Sequence, residues 1–364
     1  MNHRFLAIDI VRILAVLLVV YGHFVSVGGG ATTIPGVVAE STKLPIFDYT
    51  LWSVWSFEVF LIEKFSTQTA ILGVTIFFIV TGYLMPVMME RYSRIQFLIN
   101  RFFRIIPLLI VSMLIIALFV NYTQNIVFTL KSYIASVTLS YLFIGVVPIV
   151  GVLWTLIIEV IFYLITAIIG KFTFEKLILL QVIILSIIVF DSKYPNLYYL
   201  HLIVTNIKYI LIIAIGSSIF LASKESSILK KFIYISSSIV ISYIGLYIFK
   251  LNYQDTSTYS NIGTLLLGTF IVLFAIWGGK YITSLPKQLN IFSELVYPIY
   301  LIHVPFGLGM MIILREYFTS PYLLTIISFV IVVIISYILH IYVEKIGIAY
   351  SKKLIKSLEK DKNI

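Results

Sequence analysis

The chain has 364 residues, 60% of them hydrophobic and only 12% charged, with a net charge of +10 and no cysteine. A charged fraction about half the soluble average of about 25% excludes a water-soluble domain and marks an integral membrane protein. The lack of cysteine excludes disulfides, thiolate zinc sites and a thiol nucleophile, and basic residues scattered between apolar runs offer no face to nucleic acid.

Apolar runs long enough to span a bilayer fall at 6–27, 70–90, 104–121, 151–170, 176–191, 203–222, 230–250, 259–278, 293–314 and 322–344. The spacing therefore predicts an all-α polytopic bundle of about ten transmembrane helices. The interrupted stretch from Tyr133 to Val150 reads as a short re-entrant or interfacial segment. No small-residue cleavage site follows the first run, which reads as a retained signal anchor. With the N-terminus inside, eighteen Lys and Arg fall on the cytoplasmic side against six outside, so both termini are expected in the cytoplasm. One transmembrane domain, 1–350, and a basic cytoplasmic tail, 351–364, account for the chain. The longest external connection, about 28–69, carries Pro35, Pro45, Trp52 and Trp55, and is expected to pack on the membrane surface or over a cavity.

Ionisable residues inside these spans are the informative ones, because burying charge in lipid is costly. The first span contains Asp9, Arg12 and His23. On a helix, Arg12 and His23 are about 16 Å apart and nearly eclipsed, and Asp9 joins their face. A topology anchor, with Arg12 snorkelling to the interface, is the structural alternative. The second span carries Gly73, Thr75, Phe77, Phe78, Thr81, Gly82 and Tyr83, where small residues permit close helix packing. At the entry to the third, Arg101 and Arg104 lie one turn apart before Pro107; guanidinium pairs suit phosphate oxygens, and positive-inside anchoring is equally sufficient. The fourth opens with Trp154 and Thr155 and places Glu159 deep in an apolar run, flanked on one face by Thr155 and Tyr163. His201 and Lys208 share a face of the sixth span and read as a salt bridge or interfacial anchors. In the ninth, Tyr300 and His303 are one turn apart between Pro298 and Pro305, a pattern suited to a cavity wall. His340 and Glu344 sit near the end of the tenth.

Together these residues resemble the acyltransferase-3 family of polytopic membrane O-acyltransferases. The resemblance rests on Asp9-x-x-Arg12 followed after ten residues by His23; on Gly73-x-x-x-Phe77-Phe78-x-x-Thr81-Gly82-Tyr83, with Thr81 and Tyr83 where Ser and Phe are usual and Thr75 where an acid often stands; on Arg101-x-x-Arg104; on Trp154-Thr155-Leu156-x-x-Glu159-x-x-Phe162-Tyr163; and on Tyr297-x-x-Tyr300-Leu301-x-His303-x-Pro305, with Pro298 where Ser is more common. It covers most of the first 165 residues and returns at 294–305, leaving 171–290 without pattern. Glu344 resembles a late acid of the family with a structural role.

The resemblance implies transfer of an acetyl or similar short acyl group from acyl-coenzyme A to a hydroxyl of a cell-surface polysaccharide or lipid-linked glycan, in the plasma or inner membrane. His23 would deprotonate the acceptor or carry the acyl group covalently; Glu159 or Asp9 would fix its tautomer, Glu159 alternatively pairing with Arg12; and Arg12 would stabilise negative charge. Arg101 and Arg104 are candidates for the donor phosphates, and Trp154, Tyr163, Tyr300 and His303 for the substrate cavity. Acetyl-coenzyme A is the expected co-substrate, no metal is expected, and lipids and the glycan are the expected partners. His23 is predicted toward the external end of its helix, so the donor's pantetheine arm has to thread the bundle, or the helix boundaries differ. A glycan or lipid-carrier transporter, using Asp9, Arg12, Glu159 and His303 as a path, is the alternative class. Hydrolase elbows, zinc helices and P-loops are absent from the sequence.

Overall fold

A computed structural model describes residues 3–27, 53–253, 256–282, 284–314, 317–318 and 320–360. Every described element is helical. In chain order these are α1 (His3–Tyr21), continued by a π turn (Gly22–Val27), α2 (Ser53–Phe65), α3 (Thr69–Met89), α4 (Arg94–Gln124), α5 (Leu130–Val137) and α6 (Leu153–Ile169). They are followed by α7 (Phe174–Lys193), α8 (Tyr198–Ile207), α9 (Ile210–Lys224), α10 (Ile228–Tyr253), α11 (Thr256–Gly278) and α12 (Lys287–Glu294). The chain ends in α13 (Val296–Ile302), a π turn (His303–Leu308), α14 (Gly309–Leu314), α15 (Pro321–Leu339), a third π turn (His340–Glu344) and α16 (Lys345–Lys360).

All ten apolar runs are thus helical, and the protein is an all-α, multi-pass membrane bundle. Seven helices among the described residues have the length and hydropathy to cross a bilayer, while 153–169 and 262–278 are apolar but shorter. Between Tyr133 and Val150 the chain forms only the end of α5 and then irregular turns. Thr129 caps α5 by accepting from the Ser132 amide at 3.1 Å, as an N-cap hydroxyl does. Residues 28–52 of the long connection, with Pro35, Pro45 and Trp52, lie outside the described residues; its latter part is helix α2. The segment expected as a basic tail is helical to Lys360, with Ser351 and Ile355 buried.

The chain divides into two compact units, one comprising Met1–Leu18, Phe60–Phe97 and Ile157–Asn290, the other Val19–Val59, Leu98–Leu156 and Ile291–Ile364. In the first, α3 and α9 cross at glycines. A Cβ on Gly82 would lie 1.7 Å from the Ile213 carbonyl oxygen and one on Gly216 1.8 Å from that of Ile79. Only hydrogen at those positions lets the backbones meet, the small-residue packing that substitutes for hydrophobic driving force inside lipid. Ser217 donates to the Gly82 carbonyl at 2.8 Å across the same crossing. Buried Gln181 of α7 donates to Ser238 and Ser242 of α10 at 3.0 and 3.2 Å, and Ser242 donates to the Leu211 carbonyl of α9 at 2.7 Å. Three helices are thereby joined through groups that lipid could not solvate.

In the second unit the π turns after α1 and α13 pack together through Gly307, where a Cβ would lie 2.1 Å from the Phe24 ring. Phe306 stacks on Phe119 of α4 with centroids 4.4 Å apart. Gly347 performs the same service for α16, where a Cβ would lie 2.6 Å from the Phe103 carbonyl oxygen of α4.

Candidate functional site

The second unit brings His23 and His303 together, each on a π turn. A π turn widens the helix by one residue and re-aims side chains, and such turns gather at functional sites. His303 is fully buried. Its Nδ1 lies 2.7 Å from the Tyr300 carbonyl oxygen, and its Nε2 lies 3.2 Å from His23 Nδ1. His23 Nδ1 is also 2.9 Å from the Val19 carbonyl oxygen.

These contacts fix the tautomers of a neutral pair. A carbonyl oxygen only accepts, so His303 carries its proton on Nδ1 and leaves a lone pair on Nε2. The Val19 carbonyl likewise requires a proton on His23 Nδ1, which is shared with His303 Nε2. His23 Nε2 is then the nitrogen with an available lone pair, the form a general base needs.

Around this pair, Thr155 donates to the Val152 carbonyl at 3.0 Å and therefore accepts from the Tyr300 hydroxyl at 2.7 Å. Tyr300 supports His303 from the other side, its carbonyl bonded to Nδ1 and its ring centroid 5.7 Å from the imidazole. Trp154 is half-buried at the start of α6.

Farther along the same unit, Arg104 lies 3.4 Å from Oε1 of Glu344, whose side chain is fully buried. His340 in turn has Nδ1 2.6 Å from Glu344 and Nε2 3.0 Å from Glu294, which also lies 3.7 Å from Lys345. His340 thus bridges two carboxylates, and the network runs from Arg104 through Glu344, His340 and Glu294 to Lys345. Arg101 donates to Asn100 at 2.6 Å. The Tyr297 hydroxyl donates to the Ile105 carbonyl at 3.2 Å, which sets the arginine turn of α4 beside the start of α13, six residues and about 9 Å of helix rise before His303.

The first unit holds the other residues singled out by sequence. Asp9 and Arg12 pair at 3.3 Å with both side chains partly exposed. Glu159 accepts from the Tyr163 hydroxyl and, at 3.4 Å, from Thr81. Thr75 is buried and bonded to Thr264 at 2.9 Å, so packing against α11 accounts for it where an acid is more usual.

Of the two residues that its motif offers, His303 is the one whose ring meets His23 directly. Glu294 and Asp191 escaped sequence reading. Asp191 lay at the end of an expected span, beside a lysine, where a carboxylate reads as a boundary.

A family model described as an acyltransferase domain matches residues 5–341 of the chain. No curated protein and no solved structure matches it significantly.

Proposed function

The chain belongs to the acyltransferase-3 family and is a membrane acyltransferase, and from that premise we propose that it moves an acetyl or similar short acyl group from acyl-coenzyme A to a hydroxyl of a cell-surface or lipid-linked glycan. The observation that carries the reading is the His23–His303 pair, whose hydrogen bonds leave a lone pair on His23 Nε2. In this reading His23 Nε2 takes the proton of the acceptor hydroxyl as its oxygen attacks the thioester carbonyl. The tetrahedral intermediate collapses with rupture of the carbon–sulfur bond, and the proton on Nε2 passes to the departing thiolate. The acyl–oxygen bond forms, the acyl–sulfur bond breaks, and His23 returns to its starting state. His303 is a positioning residue that holds the His23 proton on Nδ1, the part a carboxylate plays beside a catalytic imidazole.

Arg101 and Arg104 supply positive charge for the donor phosphates. Their turn is offset from His303 by about 9 Å along α13, a distance an extended pantetheine arm covers. In this reading the arm enters at the arginine turn and reaches toward the histidines, a route that would reconcile a cytosolic donor with a base remote from the cytosol. Arg12, Asp9 and Glu159 enter the proposal from the sequence resemblance.

Purified protein incubated with acetyl-labelled acetyl-coenzyme A tests the reading. Donor turnover that disappears in His23→Ala, with mass spectrometry showing loss of O-acetyl groups from surface polysaccharide, supports it. An inert donor combined with saturable glycan uptake into proteoliposomes would instead establish a transporter.

A further inference from the structure

A second constellation of polar groups lies in the first unit, where α7 ends, α8 begins and α10 ends. Asp191 is fully buried there. Its Oδ2 accepts from the Tyr253 hydroxyl at 2.7 Å and from His201 Nδ1 at 3.2 Å, and the Tyr253 hydroxyl also lies 3.1 Å from the Asp191 carbonyl oxygen. The other carboxylate oxygen, Oδ1, has no partner among the described residues. A buried carboxylate oxygen without a donor is costly, and native proteins rarely tolerate one unless something fills it.

The surroundings define what would. Because the carboxylate accepts, His201 carries its proton on Nδ1, and in the neutral ring Nε2 is an acceptor. The His201 side chain is about one-third exposed. Its ring lies 4.1 Å from that of Tyr253 and runs parallel to that of Phe249 at 6.0 Å. Two acceptors beside aromatic faces suit a molecule with several hydroxyl donors and an apolar C–H face. Lys208 is buried nearby, its ammonium 3.7 Å from the Phe249 centroid.

Orientation agrees. This end of the unit is flanked by Lys193 and Lys250, whereas Lys171, Lys176, Lys224, Lys230 and Lys231 crowd the opposite helix ends. The excess of basic residues marks the cytoplasmic side, which sets the cluster facing outward, toward a glycan.

We propose that Asp191, His201 and Tyr253 form a saccharide subsite that holds a neutral pyranose of the acceptor. One hydroxyl donates to His201 Nε2, a second is directed at Asp191 Oδ1, and the sugar's C–H face rests on Tyr253. The subsite is distinct from the histidine pair and rests on the reading of the chain as a glycan acyltransferase. It gives a role to part of the 171–290 segment that the family motifs leave unassigned.

Binding is measured on the full-length His23→Ala protein in nanodiscs, by saturation-transfer NMR with methyl glycosides of glucose, galactose, mannose and N-acetylglucosamine. At least one glycoside is expected to bind, with affinity falling about tenfold or more in His201→Ala and in Asp191→Asn, the loss of roughly one charged or paired hydrogen bond. Tyr253→Phe, which keeps the ring, serves as the milder variant in case the others do not fold. Failure of every glycoside to bind, or binding unchanged in a folded variant, overturns the subsite. With His23 intact, His201→Ala should raise the KM for acceptor and leave that for acetyl-coenzyme A unchanged. His201-dependent glycoside binding without donor turnover in the wild-type protein would preserve the subsite and overturn the acyltransfer reading instead.

Discussion

His303 Nε2 lies 3.2 Å from His23 Nδ1, and both rings are tied to backbone carbonyls that dictate where their protons reside. Removing the base should therefore cost more than removing its support. His23→Ala is expected to lower acyl transfer by roughly 100- to 10,000-fold, the usual contribution of a general base. His303→Ala frees the His23 proton to occupy either nitrogen and should lower kcat by a smaller factor. His303→Gln, whose amide oxygen can accept from His23 Nδ1, should recover part of that loss. Single-turnover assays with labelled acetyl-coenzyme A separate the three. Equal activity of His303→Ala and wild type would remove His303 from the mechanism.

Glu344 is the buried centre of a charge network that joins α4, α15 and α16 through Arg104 and His340. Taking it away leaves Arg104 and His340 without the buried carboxylate they share. Breaking a buried pair in this way costs about 3–5 kcal/mol, so Glu344→Ala should lower the melting temperature in detergent markedly. Arg104→Ala should be gentler on stability, because Glu344 keeps its bond to His340. If Arg104 meets the donor phosphates, that variant also raises the KM for acetyl-coenzyme A, and increasing ionic strength should reproduce the effect in the wild-type protein.

The fold was legible where hydropathy dominates. Each apolar run became a helix because a chain in lipid has to satisfy its backbone internally. The three π turns were not legible, since the extra residue in each leaves the hydrophobic pattern almost unchanged, yet two of them carry the histidines that meet. Motif order pointed to His23 and His303 separately. Their contact depends on Gly307 letting Phe24 approach, a steric fact that no local periodicity encodes. Glu159 was legible as an acid inside an apolar run needing partners, and Tyr163 was named by its four-residue spacing; the acid is only partly buried, and Thr81 required the structure because it comes from another helix. The pairing of Asp191 with His201 and Tyr253 was hidden for the same reason.

Glu159 holds its two hydroxyl donors unequally in sequence but jointly in space, which allows its role to be dissected. Tyr163→Phe removes one donor and leaves Thr81, an expected loss of about 1 kcal/mol in stability. Glu159→Gln keeps the size and much of the hydrogen bonding while removing the charge. A purely structural Glu159 predicts that both variants keep wild-type kcat. The family resemblance predicts that Glu159→Gln loses at least tenfold in acyl transfer and Tyr163→Phe far less. Thermal melts and acetyl transfer measured on the same preparations decide between them.

The crossing of α3 and α9 provides a test of packing that involves no ionisable group. A Cβ on Gly216 would stand 1.8 Å from the Ile79 carbonyl oxygen and 2.7 Å from the Tyr83 amide nitrogen, both backbone atoms that cannot rotate away. The helices would have to separate, carrying with them the Ser217 bond to the Gly82 carbonyl. Overpacking of this kind costs about 1–3 kcal/mol or more, and Gly216→Ala is expected to lower both the melting temperature and the amount of protein in the membrane. Gly278, at the end of α11, has open space where a Cβ would go. Gly278→Ala should therefore leave stability unchanged or raise it by up to about 1 kcal/mol through reduced backbone freedom in the unfolded chain. The opposite ordering of the two variants would mean that α3 and α9 do not meet at these glycines.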